Sequence, residues 1–228
     1  MWNRELLKNN AKDALRRYYL PAFLVCLVTA LLCGGANVTI HLREGVEESL
    51  HFFRHMDFGI LLGIFSTLFM ASVISTLFHI FVGNVLEVGS AKFFVESRNE
   101  GRAAPLETVL AGFTNDYGKT VITLFLRNLY IALWSLLFVI PGIVKAFEYR
   151  MLPYILADYP DITRQDAFAL SRRLMDGHKM EAFLLQISFI GWYMLGALLF
   201  GIGVYFVYPY VEATFAEFYT ALKETTPL

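Results

Sequence analysis

Charge is what this sequence has least of. Only 17% of its 228 residues are charged while 57% are hydrophobic, a balance that excludes the polar surface of an ordinary soluble domain. With a net charge of −1 there is no basic field, so nucleic acid is not expected as a partner. Cysteine is scarce as well. Cys26 and Cys33 both lie in the first apolar run, where aliphatic neighbours make them packing residues rather than a disulfide or metal pair. No A-x-A-like cleavage site follows that run, so it is expected to stay in the protein. The G-x-S-x-G, P-loop and zinc-site patterns are also missing, so neither enzymatic activity nor a cofactor is expected.

What the chain does have is apolar length. A helix crosses ~30 Å of hydrocarbon in about 20 residues. Leu20 to Ile40 and Phe58 to Leu86 carry no formal charge and read as the first two spans, the second projecting into water near Glu87. Thr120 to Ile140, interrupted only by Arg127, reads as the third. Ala182 to Val211 is uncharged, but as one helix it would reach ~45 Å, so the glycines of Phe200 to Gly203 are expected to divide it into spans five and six.

Lysine and arginine set the orientation. Arg4, Lys8, Lys12, Arg16 and Arg17 precede span one, whereas acidic residues dominate His41 to Asp57. The positive-inside bias therefore places the N-terminus in the cytoplasm. Lys92, Arg98, Arg102 and Lys119, and later Arg164, Arg172, Arg173 and Lys179, mark two further cytoplasmic segments. Keeping the last of these inside requires a fourth crossing between Ile140 and Asp158, beyond an outer turn at Pro141-Gly142. That segment carries Lys145, Glu148 and Arg150, so it is expected to be shielded by other helices. The predicted fold is an all-α membrane protein with six transmembrane helices in three hairpins, each preceded by a cytoplasmic interfacial helix. Both termini are expected inside a bacterial cytoplasmic membrane.

Repetition supports three units. Asp116 to Lys119 and Asp176 to Lys179 precede spans three and five, while Gly142 and Gly203, like Tyr149 and Tyr210, stand 61 residues apart. Within one polytopic membrane domain the units fall at 1–99, 104–158 and 161–228. One interfacial helix would open at Pro105, and another would be capped by Thr163 with Asp166 three residues on.

The ordered stretches "MWNRELLKNNAKDALRRYYLPAFLV", "IPGIVKAFEYRMLPYILAD", "ALSRRLMDGHK", "SFIGWYMLG" and "YPYVEATFAEFY" resemble the bacterial integral-membrane family catalogued as domain of unknown function 975, over nearly the whole chain. That resemblance implies a polytopic inner-membrane protein and no established activity. The layout is also remotely similar to the membrane domain of some glycerophosphodiester phosphodiesterases, whose catalytic domain is lacking.

Three constellations stand out. The first helix segregates Trp2, Leu6, Leu7, Ala11, Ala14, Leu15 and Tyr18 from Arg4, Lys8, Lys12 and Arg16, which with Arg17 would meet lipid headgroups. Glu47, His51 and His55 follow helical spacing as a weak metal-site candidate, although a hydrated polar cap explains the same residues. Arg127, Glu148, Arg150 and Glu212 fall at one depth, about 12 to 15 Å from the cytoplasmic ends, with Glu217 lower. Charges there cost ~2.5–3.5 kcal/mol each on insertion scales, so pairing is expected, in particular between Arg150 and Glu212. The leading functional reading is a non-enzymatic module that interacts with membrane lipids or binds a partner protein or second copy of itself. The alternative is a small transporter with a polar site among spans three, four and six. A cavity reaching Arg150 would favour the transporter, and a dry, closed charge cluster the module.

Overall fold

The computed structural model describes residues 4–33, 58–114, 116–198 and 203–226, and every regular element in them is helical. The first helix, α1 (Arg4–Cys33), bends at Tyr18 (φ −141°, ψ 33°). Pro21 lies three residues on and has no N–H to give the preceding turn, which accounts for a break there. The bend separates the interfacial segment from the apolar run that follows. Leu7, Ala11, Leu15 and Tyr18 are all buried, and α1 makes its main contact with the final helix, α11 (Gly203–Thr225). Most of the apolar face of a helix expected to lie in the headgroup layer therefore packs on the protein itself, with Leu6 left exposed.

The second expected span does not end in water near Glu87. Helix α2 (Phe58–Phe78) runs through a π turn, His79–Gly83, into α3 (Asn84–Glu100), where Gly101 at φ +66° terminates it. Its character changes along its length. Phe65, Leu68, Phe69 and Ile74 are exposed, whereas Val85, Val88, Phe93 and Phe94 are buried. The expected interfacial helix after Pro105 is instead a 3-10 turn, Leu106–Leu110, followed by a single helical turn, α4 (Ala111–Thr114).

Helix α5 (Tyr117–Leu137) turns back at Phe138, which is extended (φ −153°, ψ 141°), into α6 (Val139–Glu148). The reversal thus precedes Pro141 and Gly142, which lie inside α6. Pro141 fits the first turn, where N–H groups have no intrahelical acceptor. Gly142 is explained by packing. A Cβ there would sit 2.7 Å from the Ser135 Cα, so only glycine lets the two helices close. After a turn at Tyr149 to Met151 the chain resumes as α7 (Leu152–Asp158), buried from Leu152 through Ala157. Shielding by other helices therefore holds for α7, while Val139 and Ile140 of α6 are exposed.

Thr163 caps α8 (Arg164–Leu174), accepting from the Asp166 N–H at 3.2 Å. Two short helices follow, α9 (Lys179–Ile187) and α10 (Ile190–Leu198), and α10 packs against α11. The long uncharged run is broken at Ser188 and Phe189, between α9 and α10, whereas the division expected at Phe200 to Gly203 falls, except for Gly203, outside the described residues. Gly196 and Gly203 meet backbone to backbone, a Cβ on Gly203 falling 2.6 Å from the Gly196 Cα. Ser135/Gly142 and Gly196/Gly203 are equivalent pairs, 61 residues apart. The spacing extends to the core, where Phe93, Tyr154 and Phe215, on α3, α7 and α11, are all buried.

Three described helical stretches are long and apolar enough to cross a membrane: Leu62–Glu100, Tyr117–Leu137 and Lys179–Leu198. The architecture is an all-α multi-helix bundle with apolar helices suited to lipid contact.

Candidate functional site

Arg150 sits in the turn between α6 and α7, half-buried, with its guanidinium carbon 4.4 Å from the ring centre of Phe215. It lines a cavity of about 200 Å³ together with Pro153 and Tyr154 of α7, Gln186 of α9 and Tyr193 of α10. Glu87 and Ala91 of α3 and Tyr208, Val211 and Glu212 of α11 complete the walls. Among the described residues, no carboxylate oxygen lies within 4.0 Å of the Arg150 guanidinium and no side chain accepts from it. Arg150 and Glu212 therefore share a cavity without forming a direct ion pair. Glu212 instead accepts from the Tyr154 hydroxyl at 3.1 Å, and Tyr208 lines the same cavity.

The other members of the expected charge cluster are distributed elsewhere. Arg127 on α5 grips Glu87 through two hydrogen bonds of 2.9 and 2.7 Å, a fork-to-fork geometry that fixes both planes. Beside it the Asn128 amide donates to the Asn84 side chain at 3.2 Å. Glu148 is buried and receives Lys145 at 2.7 Å, Lys179 at 2.8 Å and Arg172 at 3.5 Å. Here α6 meets the segment of α8 and α9. Glu217, also buried, pairs with Arg98 at 3.3 Å. A common depth in sequence thus resolves into separate neighbourhoods, because rise per residue fixes level and leaves direction around the axis open.

The basic residues of α1 also divide. Arg4, Lys12, Arg16 and Arg17 are exposed. Lys8 is half-buried, 3.5 Å from the Ser188 carbonyl and 4.4 Å above the Phe189 ring. Burial, with the charges of Lys12 and Arg4, pulls its pKa below the ordinary lysine value. At the far end of α11, Lys223 reaches Asp158 at 2.6 Å. Burial lowers its pKa, but the hydrogen bond to Asp158 and the nearby Tyr159 more than offset that and raise it overall. Glu47, His51 and His55 lie outside the described residues, and among the described residues no group of three or more such side chains could hold a metal.

Sequence reasoning did not single out Glu87, Gln186, Tyr193 or Tyr208. Glu87 was expected at a solvated helix end. Gln186 carried a usable signal, being the only side-chain amide between Ala182 and Val211, where an unneeded polar group is expensive.

The fold and this cavity define an all-α, multi-helix membrane protein. Residues 138–226 match a family described as "Protein of unknown function (DUF975)". The resemblance read over nearly the whole chain is therefore matched in its C-terminal part, which supplies every cavity residue except Glu87 and Ala91. No curated protein and no solved structure matches, so the remote likeness to phosphodiesterase membrane domains has no support.

Proposed function

We propose that the protein is a non-enzymatic, permease-like protein of the bacterial inner membrane whose cavity takes up a small polar group. The observation that carries this reading is Arg150: a half-buried guanidinium that lines a cavity and is not closed by a carboxylate. A purely structural arginine is expected to be paired, since an uncompensated buried charge is costly. The site draws on α3, the Arg150 turn, α7, α9, α10 and α11, with α5 contributing only through the Arg127 grip on Glu87. Three units with both termini cytoplasmic remain part of the reading, and the pairs Ser135/Gly142 and Gly196/Gly203 support the repetition of the second and third.

A lipid-interacting module is the second reading. It is favoured by the exposed apolar surface of α2 and by the exposed cations Arg4, Arg16 and Arg17. A cysteine at Gln186, in a chain with Cys26 and Cys33 replaced by alanine, separates the two. The permease-like reading expects modification by a small water-soluble thiol reagent. Complete protection of a folded variant would overturn it.

A further inference from the structure

The charges around the cavity do not all close on one another. Glu87 has both oxygens on Arg127 and is neutralised locally. Arg150 and Glu212 face the same space as an open pair of opposite charges, with no direct contact within 4.0 Å. Phe215 covers one face of the Arg150 guanidinium, leaving the N–H edge, which is suited to two-point recognition of a phosphate or carboxylate. The side chains of Gln186 and Tyr193 line the same cavity and have no hydrogen-bond partner among the described residues, so they can add donors to such an anion. At the opposite charge, the Glu212 carboxylate is held by the Tyr154 hydroxyl, with Tyr193 and Tyr208 lining the same cavity. A carboxylate framed by aromatic rings is the chemistry that holds an ammonium.

We infer that the cavity binds a zwitterion, its phosphate or carboxylate on Arg150 and its ammonium on Glu212. This rests on the reading of the cavity as a binding site. The charge balance selects the class. An anion alone would satisfy Arg150 and leave Glu212 facing a second negative charge, and a cation alone would do the reverse. A group carrying both completes the two together in a medium where each uncompensated charge is expensive. The volume agrees. About 200 Å³ is several times the ~30 Å³ share of one water, enough for a lipid headgroup or an amino-acid-sized solute.

The test compares phosphate-bearing ligands with and without an ammonium. Delipidated full-length protein is titrated with phosphatidylethanolamine against phosphatidylglycerol by native mass spectrometry. In a second arm, phosphoethanolamine is compared with glycerol phosphate by calorimetry. The ammonium-bearing ligand should bind about tenfold more tightly in at least one arm. Preference in the lipid arm alone identifies a headgroup as the source, and in the free arm alone a soluble zwitterion. Glu212→Gln should erase the preference while anion binding persists, and Arg150→Gln should remove binding of both members. Equal affinity within both pairs, or no binding in either arm, overturns the inference. The wild-type comparison decides this even if a variant fails to fold. Should the Gln186→Cys variant be modified while both pairs bind equally, the zwitterion is wrong and the binding cavity stands.

Discussion

At the residue scale, the best-defined interaction is the fork between Arg127 and Glu87. The Arg127 side chain is 12% exposed and that of Glu87 41%, and both carboxylate oxygens are engaged. Removing one partner leaves the other charge without its counter-ion in a partly buried site, a loss below the roughly 3–5 kcal/mol of fully buried pairs. Arg127→Ala and Glu87→Ala should each lower the thermal unfolding midpoint in detergent by several degrees. Glu87→Gln with Arg127→Gln should cost less than the sum of the two single glutamine changes, because no lone charge remains. Strict additivity would mean that the two side chains do not interact. Arg127 itself was legible in the sequence as a charge needing a partner. Its partner was not, because a glutamate after a long apolar run reads as a helix end. The continuation through His79–Gly83 carries the helix past Glu87, so that its partly exposed side chain meets Arg127 at the cavity wall.

At the element scale, helix closure depends on two equivalent glycine contacts. A methyl group at Gly142 would meet the Ser135 Cα at 2.7 Å, and one at Gly203 the Gly196 Cα at 2.6 Å. Backbone cannot retreat as a side-chain tip can, so Gly142→Ala and Gly203→Ala should each destabilise by about 1–3 kcal/mol. Gly63 provides the control, since nothing lies within 4 Å of a Cβ there. Gly63→Ala should leave stability unchanged or raise it by up to about 1 kcal/mol through helix propensity. Denaturation of the three variants in one detergent checks the contrast, and equal behaviour would remove the close-contact explanation. The repeat was legible through Gly142 and Gly203, whereas the reversal point was not. Pro141-Gly142 is a strong turn signal in sequence. Yet the extended Phe138 makes the turn first, leaving the proline in a helical first turn and the glycine at the helix contact.

At the scale of the whole molecule, the number of crossings sets the side on which each segment lies. The segment from Val139 to Asp158 decides the count. Helices α6 and α7 have 10 and 7 residues, about 15 and 10 Å of rise at 1.5 Å per residue, and together only just approach the ~30 Å hydrocarbon. The basic residues beyond it argue that it crosses, since Arg164, Arg172, Arg173 and Lys179 would otherwise lie outside, against the positive-inside bias. Single cysteines placed at Glu48, Gln165 and Glu224, with Cys26 and Cys33 replaced, distinguish the topologies. Gln165 is preferred to Asp166 because Asp166 takes part in the Thr163 cap. With six crossings, an impermeant thiol reagent should label the Glu48 site in intact cells and reach the Gln165 and Glu224 sites only after lysis. Labelling at Gln165 in intact cells would place α8 outside and remove the crossing before it. Arg150 would then sit on a segment that enters and leaves by the same face. In that geometry the cavity would open to one side only, which suits a binding protein and argues against transport.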